Sequence, residues 1–126
     1  MTRALMVLSA TIEMATGAAF LIAPGLAEQA LLGQAVSGAG IAITRVAGLA
    51  LLSLGLACWP GQQDITLQAK RALLIYNLLA ALYLGYLRVA GGFESYLLWP
   101  ASIFHAVLTV LLAIPNKRGA RPEYLG

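Results

Sequence analysis

Four long apolar runs, separated by short polar segments, make up most of the chain. They cover about residues 4–23, 41–59, 72–90 and 97–114. Each approaches or reaches the roughly 20 residues that a helix needs to cross the hydrocarbon of a bilayer. None of the runs alternates between apolar and polar positions, as a strand of a membrane barrel would. The pattern therefore predicts an all-α integral membrane protein with four transmembrane helices.

Proline residues support these boundaries. Pro24, Pro60 and Pro115 each follow an apolar run, where the missing N–H group costs no hydrogen bond inside a helix. Pro100 lies in the predicted first turn of the fourth helix, where it is equally harmless. We therefore expect the helices to end close to these positions.

The connections between the runs indicate how the helices are arranged. Residues 25–40 form the longest connection, and their mixture of leucine, alanine and polar side chains predicts a short amphipathic turn on the membrane surface. The other connections are short, so neighbouring helices should pack antiparallel in a four-helix up-down-up-down bundle spanning residues 1–115. Residues 116–126 are expected to form a basic cytoplasmic tail.

Composition agrees with a membrane location. The chain of 126 residues is 60% hydrophobic and 10% charged, and it contains 13 glycines, whereas soluble domains are about 45–50% apolar with glycine included and about 25% charged. Its mean hydropathy is +0.83. These values exclude a water-soluble enzyme and a disordered chain. The single cysteine, Cys58, excludes an internal disulfide.

The distribution of basic residues predicts the orientation. Cytoplasmic segments of membrane proteins are enriched in lysine and arginine. One side of the predicted bundle carries six such residues, and the other side carries only Arg88. Both termini should therefore face the cytoplasm, and the net charge of +3 indicates attraction to anionic lipids rather than to nucleic acid. The six basic residues are Arg3, Lys70, Arg71, Lys117, Arg118 and Arg121.

Polar side chains inside the predicted spans are the candidates for chemistry. Glu13 lies near the middle of the first span and Arg45 near the outer end of the second. A lone charge at mid-membrane costs about 2.5–3.5 kcal/mol on insertion scales. An ion pair between Glu13 and Arg45 is therefore expected, because it would offset the cost of both charges.

Further polar residues fall at similar depths. His105 and Tyr83 lie at about the level of Glu13, and Asn77 lies in the inner half of the third span. The candidate substrate or proton site therefore comprises Glu13, Arg45, His105, Asn77 and Tyr83. Each has a structural alternative, as a register-fixing ion pair, a core histidine, an interhelical hydrogen bond or a packing tyrosine. One histidine and one cysteine far apart predict no metal site, and no cofactor is expected.

Two families share features with the chain. The first is the small multidrug resistance transporters, four-helix proteins with one essential glutamate in the first helix. The segment 12–17, Ile-Glu-Met-Ala-Thr-Gly, resembles their glutamate segment. The resemblance implies a proton and substrate site at Glu13, although the third span here lacks that family's glycine-bearing kink and tryptophan motif.

The second resemblance covers most of the chain and concerns layout. A proline closes the first helix, an arginine-glycine-leucine pattern runs along the second, and a glycine and an arginine end the third. In these features the chain is similar to bacterial four-helix inner-membrane proteins of unknown function. The resemblance implies the fold and a multi-pass location in the bacterial inner membrane, but no activity. The residues are Pro24, Arg45, Gly48, Leu52, Gly55, Leu56, Gly85 and Arg88.

Three functions fit these observations. The favoured one is a non-enzymatic bundle with a structural polar core, acting with membrane lipids, as a homo-oligomer or in a larger membrane complex. The second is a proton-coupled small-molecule transporter that uses Glu13. The third is an intramembrane enzyme acting on a lipid or quinone, with Glu13 or His105 as general base and Arg45 holding an anionic group. Because the loops are too short for a soluble active site, an enzyme is the less favoured class.

Overall fold

The computed structural model describes residues 1–61 and 67–115, and every regular element in these ranges is a helix. Helices α1, α3 and α4 are long and apolar enough to cross a membrane. They coincide with the first three predicted spans. The fourth predicted span coincides with α5, which has 16 residues. The helices are α1 Thr2–Ile22, α2 Pro24–Leu32, α3 Ala39–Ala57, α4 Leu67–Val89 and α5 Leu98–Ala113.

The predicted helix ends are close to the observed ones. Helix α1 ends at Ile22, and Pro24 begins the nine-residue helix α2, which lies in the connection predicted to be an amphipathic turn. Gly33 ends α2 with a φ of 75°, a left-handed conformation that glycine adopts without a steric penalty. Pro60 and Pro115 follow α3 and α5, as expected. The predicted tail at 116–126 lies outside the described residues.

Helices α1 and α3 pack closely and run antiparallel. Gly17 of α1 faces Gly48 of α3, and Ala10 of α1 faces Gly55, nearer the other end of α3. A Cβ atom added to Gly17 would lie 2.7 Å from the carbonyl oxygen of Gly48. The two backbones approach so closely because neither glycine has a side chain.

Helices α4 and α5 form a second antiparallel pair. The hydroxyl of Ser102 in α5 donates to the carbonyl oxygen of Ala81 in α4 at 2.8 Å. Closer to the start of α4, the ammonium group of Lys70 lies 3.5 Å from the carbonyl oxygen of Ile114. Polar bonds therefore join this pair, whereas glycine contacts join α1 and α3.

The two helix pairs meet at both ends of the molecule. At the end away from α2, Met6, Leu73 and Leu112 are buried together with Cys58. At the end that carries α2, the hydroxyl of Ser95 donates to the carbonyl oxygen of Ala30 at 2.6 Å. This bond fastens α2 to the connection between α4 and α5.

The outer faces of the long helices are apolar and exposed. The exposed side chains include Ile43, Val46, Leu82 and Val110. Such a continuous apolar surface is unusual for a protein in water but suits contact with lipid chains. The small buried core and the apolar exterior therefore agree with a membrane protein.

Candidate functional site

Glu13 is buried at the centre of the molecule. Its side chain is only 1% exposed, and its carboxyl group lies next to the hydroxyl of Tyr76 in α4. The second carboxylate oxygen, Oε1, has no hydrogen-bond partner among the described residues. Among the described residues, the polar neighbour of the Glu13 carboxyl group is therefore a neutral hydroxyl.

The expected ion pair between Glu13 and Arg45 does not form. Arg45 is exposed, while the preceding residue, Thr44, is 3% exposed and donates to the carbonyl oxygen of Gly40. Successive residues of a helix point about 100° apart, so burying Thr44 turns Arg45 away from Glu13. The prediction compared depths along the helices, and depth does not determine the direction in which a side chain points.

Asn77 connects three helices. It is fully buried, and its Nδ2 donates to the carbonyl oxygen of Leu73 at 2.7 Å and to the hydroxyl of Ser9 at 3.0 Å. Its Oδ1 lies 2.8 Å from Nδ1 of His105. The side chain thus links α4 to both α1 and α5, which is the interhelical hydrogen bonding expected of its structural alternative.

These bonds determine the state of the His105 ring. A carbonyl oxygen only accepts hydrogen bonds, so the Asn77 atom that faces Leu73 must be Nδ2, and the atom that faces His105 must be Oδ1. Since Oδ1 also only accepts, Nδ1 of His105 carries the hydrogen. In the neutral ring, Nε2 is then a hydrogen-bond acceptor.

Aromatic contacts complete a cluster of polar side chains across α1, α4 and α5. The rings of Tyr76 and His105 meet edge to face with their centroids 5.8 Å apart. Phe104 packs on the imidazole with a similar geometry. We call Ser9, Glu13, Tyr76, Asn77 and His105 the polar cluster. It unites three of the five candidate site residues, Glu13, Asn77 and His105.

The tyrosine assignment differs from the prediction. Tyr76, which was not a candidate, contacts Glu13, whereas Tyr83 is 61% exposed and stacks on Tyr86 at 6.3 Å. Tyr76 precedes the candidate Asn77 in the sequence, and this adjacency was the available signal. Tyr83 lies seven residues further along the same face of α4 and lines the cavity described next.

A cavity of about 820 Å³ separates the α1/α3 pair from the α4/α5 pair. His105 and Tyr76 of the polar cluster line one part of it, and α2 contributes Glu28, Leu31 and Leu32 to another. Most of the wall is leucine, alanine and phenylalanine. The remaining lining residues are Ile12, Thr16, Phe20, Ala47, Ala50, Leu51, Leu79, Ala80, Tyr83, Leu84, Leu87, Phe93, Ala101 and Phe104.

Electrostatically, the cavity is neutral or acidic. Among the described lining residues there is no lysine or arginine, and the only carboxyl group is that of Glu28. One oxygen of that carboxyl group is buried without a hydrogen-bond partner. Burial raises the pKa of Glu28 above its ordinary value, because desolvation disfavours the charged form. The site can therefore hold an apolar molecule and offers polar groups from different helices.

No group of three or more histidine, cysteine, aspartate or glutamate side chains in residues 1–61 and 67–115 could hold a metal ion. Cys58 lies in the small core away from α2, far along the chain from His105. Comparison with known proteins found no matching family model, no similar curated protein and no similar solved structure.

Proposed function

We propose that this chain is an integral membrane protein that binds a membrane-soluble small molecule between its two helix pairs. The cavity of about 820 Å³ carries this proposal. Small-molecule sites are typically about 300–1,000 Å³, mostly apolar, and provided with a few polar groups that orient the ligand. The cavity has this size and composition, with Tyr76 and His105 contributed by the polar cluster.

Native mass spectrometry of the gently extracted protein tests the proposal. We expect a reproducible small-molecule or lipid mass on the wild-type chain. Ala101 lines the cavity, so Ala101→Phe should reduce this adduct. Ala106 lies on the same helix but is exposed, so Ala106→Phe is the matched control and should retain the adduct.

Two results of this experiment would contradict ligand binding. A wild-type chain without any small-molecule mass would leave the cavity without a function. An assembly with other polypeptides that carries no small-molecule adduct, and whose mass Ala101→Phe does not change, would favour the accessory role in a membrane complex. The same spectra would report a homo-oligomer.

For the arrangement in the membrane, we propose a four-span up-down-up-down bundle with both termini in the cytoplasm of a bacterium. The antiparallel packing of α1 on α3 and of α4 on α5 supports this topology. The six-to-one distribution of basic residues supports the orientation. The location in the inner membrane rests on the layout resemblance alone.

A proton-coupled carrier is the second candidate, and one observation favours it. Glu13 is not paired with Arg45, and its partner Tyr76 lies in the cavity wall. Protonation of Glu13 could therefore be sensed in the cavity through the tyrosine hydroxyl. If this coupling exists, binding of the small molecule should release or take up protons in weakly buffered solution, and Glu13→Gln should abolish the proton signal while binding persists.

A further inference from the structure

We infer that the cavity takes an uncharged amphipathic molecule bearing a hydroxyl group, and that this hydroxyl donates its hydrogen bond to Nε2 of His105. The apolar part of the molecule would extend along the leucine and alanine wall towards α2. This inference rests on the proposed function, since it specifies the chemical class of the ligand.

The first support is the orientation of the imidazole. Asn77 accepts the hydrogen bond from Nδ1 of His105, which leaves Nε2 as the acceptor of the neutral ring. Nε2 has no hydrogen-bond partner among the described residues. Part of its surface is accessible, since it does not belong to the buried atoms that lack a partner. Because His105 lines the cavity, a ligand there can reach a free acceptor, and a ligand hydroxyl supplies the matching donor.

The second support is the charge of the wall. A carboxylate or phosphate ligand would need a cation or several donors to offset the loss of its hydration. The described lining residues include no lysine or arginine, and Glu28 adds a carboxyl group near α2. Anionic lipids and fatty acids are therefore disfavoured, and an uncharged head group is favoured.

The third support is the distribution of polarity. The polar cluster supplies Tyr76 and His105 to the wall, and leucine and alanine side chains of four helices form most of the remainder. A molecule with one polar end and an apolar body matches this arrangement. A molecule that is polar throughout would lose its hydration against these apolar side chains without compensation.

Three photoactivatable probes with the same diazirine-bearing C16 chain test the inference on the purified full-length protein. One ends in a hydroxyl, one in the methyl ether of that hydroxyl, and one in a carboxylate. A neutral hydrogen bond contributes enough to change binding about two- to tenfold. We therefore expect the alcohol to label lining residues two to ten times more strongly than the ether, and the carboxylate to label them least.

Substitutions at His105 and Ala101 distinguish the inference of a ligand hydroxyl from the proposal that the cavity binds a ligand. In His105→Phe, which removes the acceptor but keeps a ring, the ratio of alcohol to ether labelling should fall to about one. If this variant does not fold, the ratio measured on the wild-type protein decides the question. Equal labelling by all three probes that Ala101→Phe blocks and Ala106→Phe preserves would overturn the hydroxyl inference while leaving ligand binding intact. If no probe labels the lining residues, both claims fail.

Discussion

Asn77 forms hydrogen bonds with three polar groups, on Ser9, Leu73 and His105, so its removal should weaken the whole polar cluster. In Asn77→Leu, the hydroxyl of Ser9 and Nδ1–H of His105 would lose their partner. Leaving a buried polar group unsatisfied costs about 1–3 kcal/mol. We therefore expect the free energy of unfolding to fall by about that amount, measured by thermal or denaturant unfolding in detergent.

Ser53→Ala is the matched control for this experiment. Ser53 is exposed, and its hydroxyl bonds only to the carbonyl oxygen of Leu49 within its own helix. A change of less than about 0.5 kcal/mol is expected, as for most surface substitutions. If Asn77→Leu were as mild as the control, the hydrogen bonds of Asn77 would have no structural role.

Glu13 and Arg45 should behave as independent residues. Because the guanidinium group is exposed and forms no ion pair with Glu13, the effects of Glu13→Gln and Arg45→Gln on stability should add. Independent sites typically add within about 0.3–0.5 kcal/mol. A double-mutant cycle measures this directly. A coupling energy well above that range would show that the two side chains form an ion pair.

The polar residues show which side-chain directions can be predicted from helical spacing. The spacing of Ser9, Glu13 and Gly17 at i, i+4 and i+8 predicts one inward face of α1, and all three are buried. The expected pair of Glu13 and Arg45 rested on depth alone, and a helix turns neighbours such as Thr44 and Arg45 about 100° apart. The long side chain of Arg45 can lie along the outer surface with its charge towards water, so burial was not required to satisfy it.

At the scale of the elements, the contact between α1 and α3 depends on glycine. A methyl group at Gly17 would lie 2.7 Å from the carbonyl oxygen of Gly48 and 2.8 Å from the backbone nitrogen of Leu52. Neither backbone atom can move without separating the helices. Gly17→Ala should therefore destabilise the protein by about 1–3 kcal/mol, the usual cost of overpacking, in an unfolding experiment.

Gly25→Ala provides the comparison. A Cβ atom there would meet nothing within 4 Å, and the residue lies inside helix α2. Alanine favours a helix over glycine by about 0.8–1.0 kcal/mol, so stability should be unchanged or increased. If both variants lost a similar amount of stability, the requirement for glycine at position 17 would come from its backbone conformation and not from the contact between α1 and α3.

The docking of α2 should weaken as the pH rises. Burial raises the pKa of Glu28 above its ordinary value of 4.5, so the folded protein holds this proton more tightly than the unfolded chain does. The stabilisation is complete below pH 4.5 and is lost as the pH rises through the raised pKa. Tyr76, Tyr83 and His105 are the other titratable groups in the cavity wall.

Glu28→Gln isolates this effect. The melting temperature of the wild-type protein relative to Glu28→Gln should fall as the pH rises from below 4.5 through the raised pKa of Glu28. The variant keeps the size of the side chain but does not titrate. Parallel curves for the two proteins would show that Glu28 is equally hydrated in the folded and unfolded states.

At the scale of the whole molecule, topology reporters test the orientation. A reporter fused after residue 126 should report the cytoplasm, and one inserted within residues 28–34 should report the opposite side, because basic residues favour the cytoplasmic side. Both fusions can be made in the same expression host. Reporters on the same side would contradict the four-span arrangement, and an exchange of sides would reverse the orientation.

Hydropathy predicted the helices well but not all of their ends or the space between them. Helix α4 begins at Leu67, five residues before the predicted span, because its first turns contain polar residues that remain helical outside an apolar run. The cavity depends on alanines from different helices, such as Ala47, Ala80 and Ala101. Sequence periodicity places each on its own helix but does not show that they face one another.

The length of α5 has a consequence for the surrounding membrane. Its 16 residues span about 24 Å. The hydrocarbon of a typical bilayer is about 30 Å thick. In the proposed topology, lipids next to α5 must therefore compress. The protein should melt at a higher temperature in bilayers of short-chain lipids than in thick ones, which ties its stability to lipid acyl-chain length.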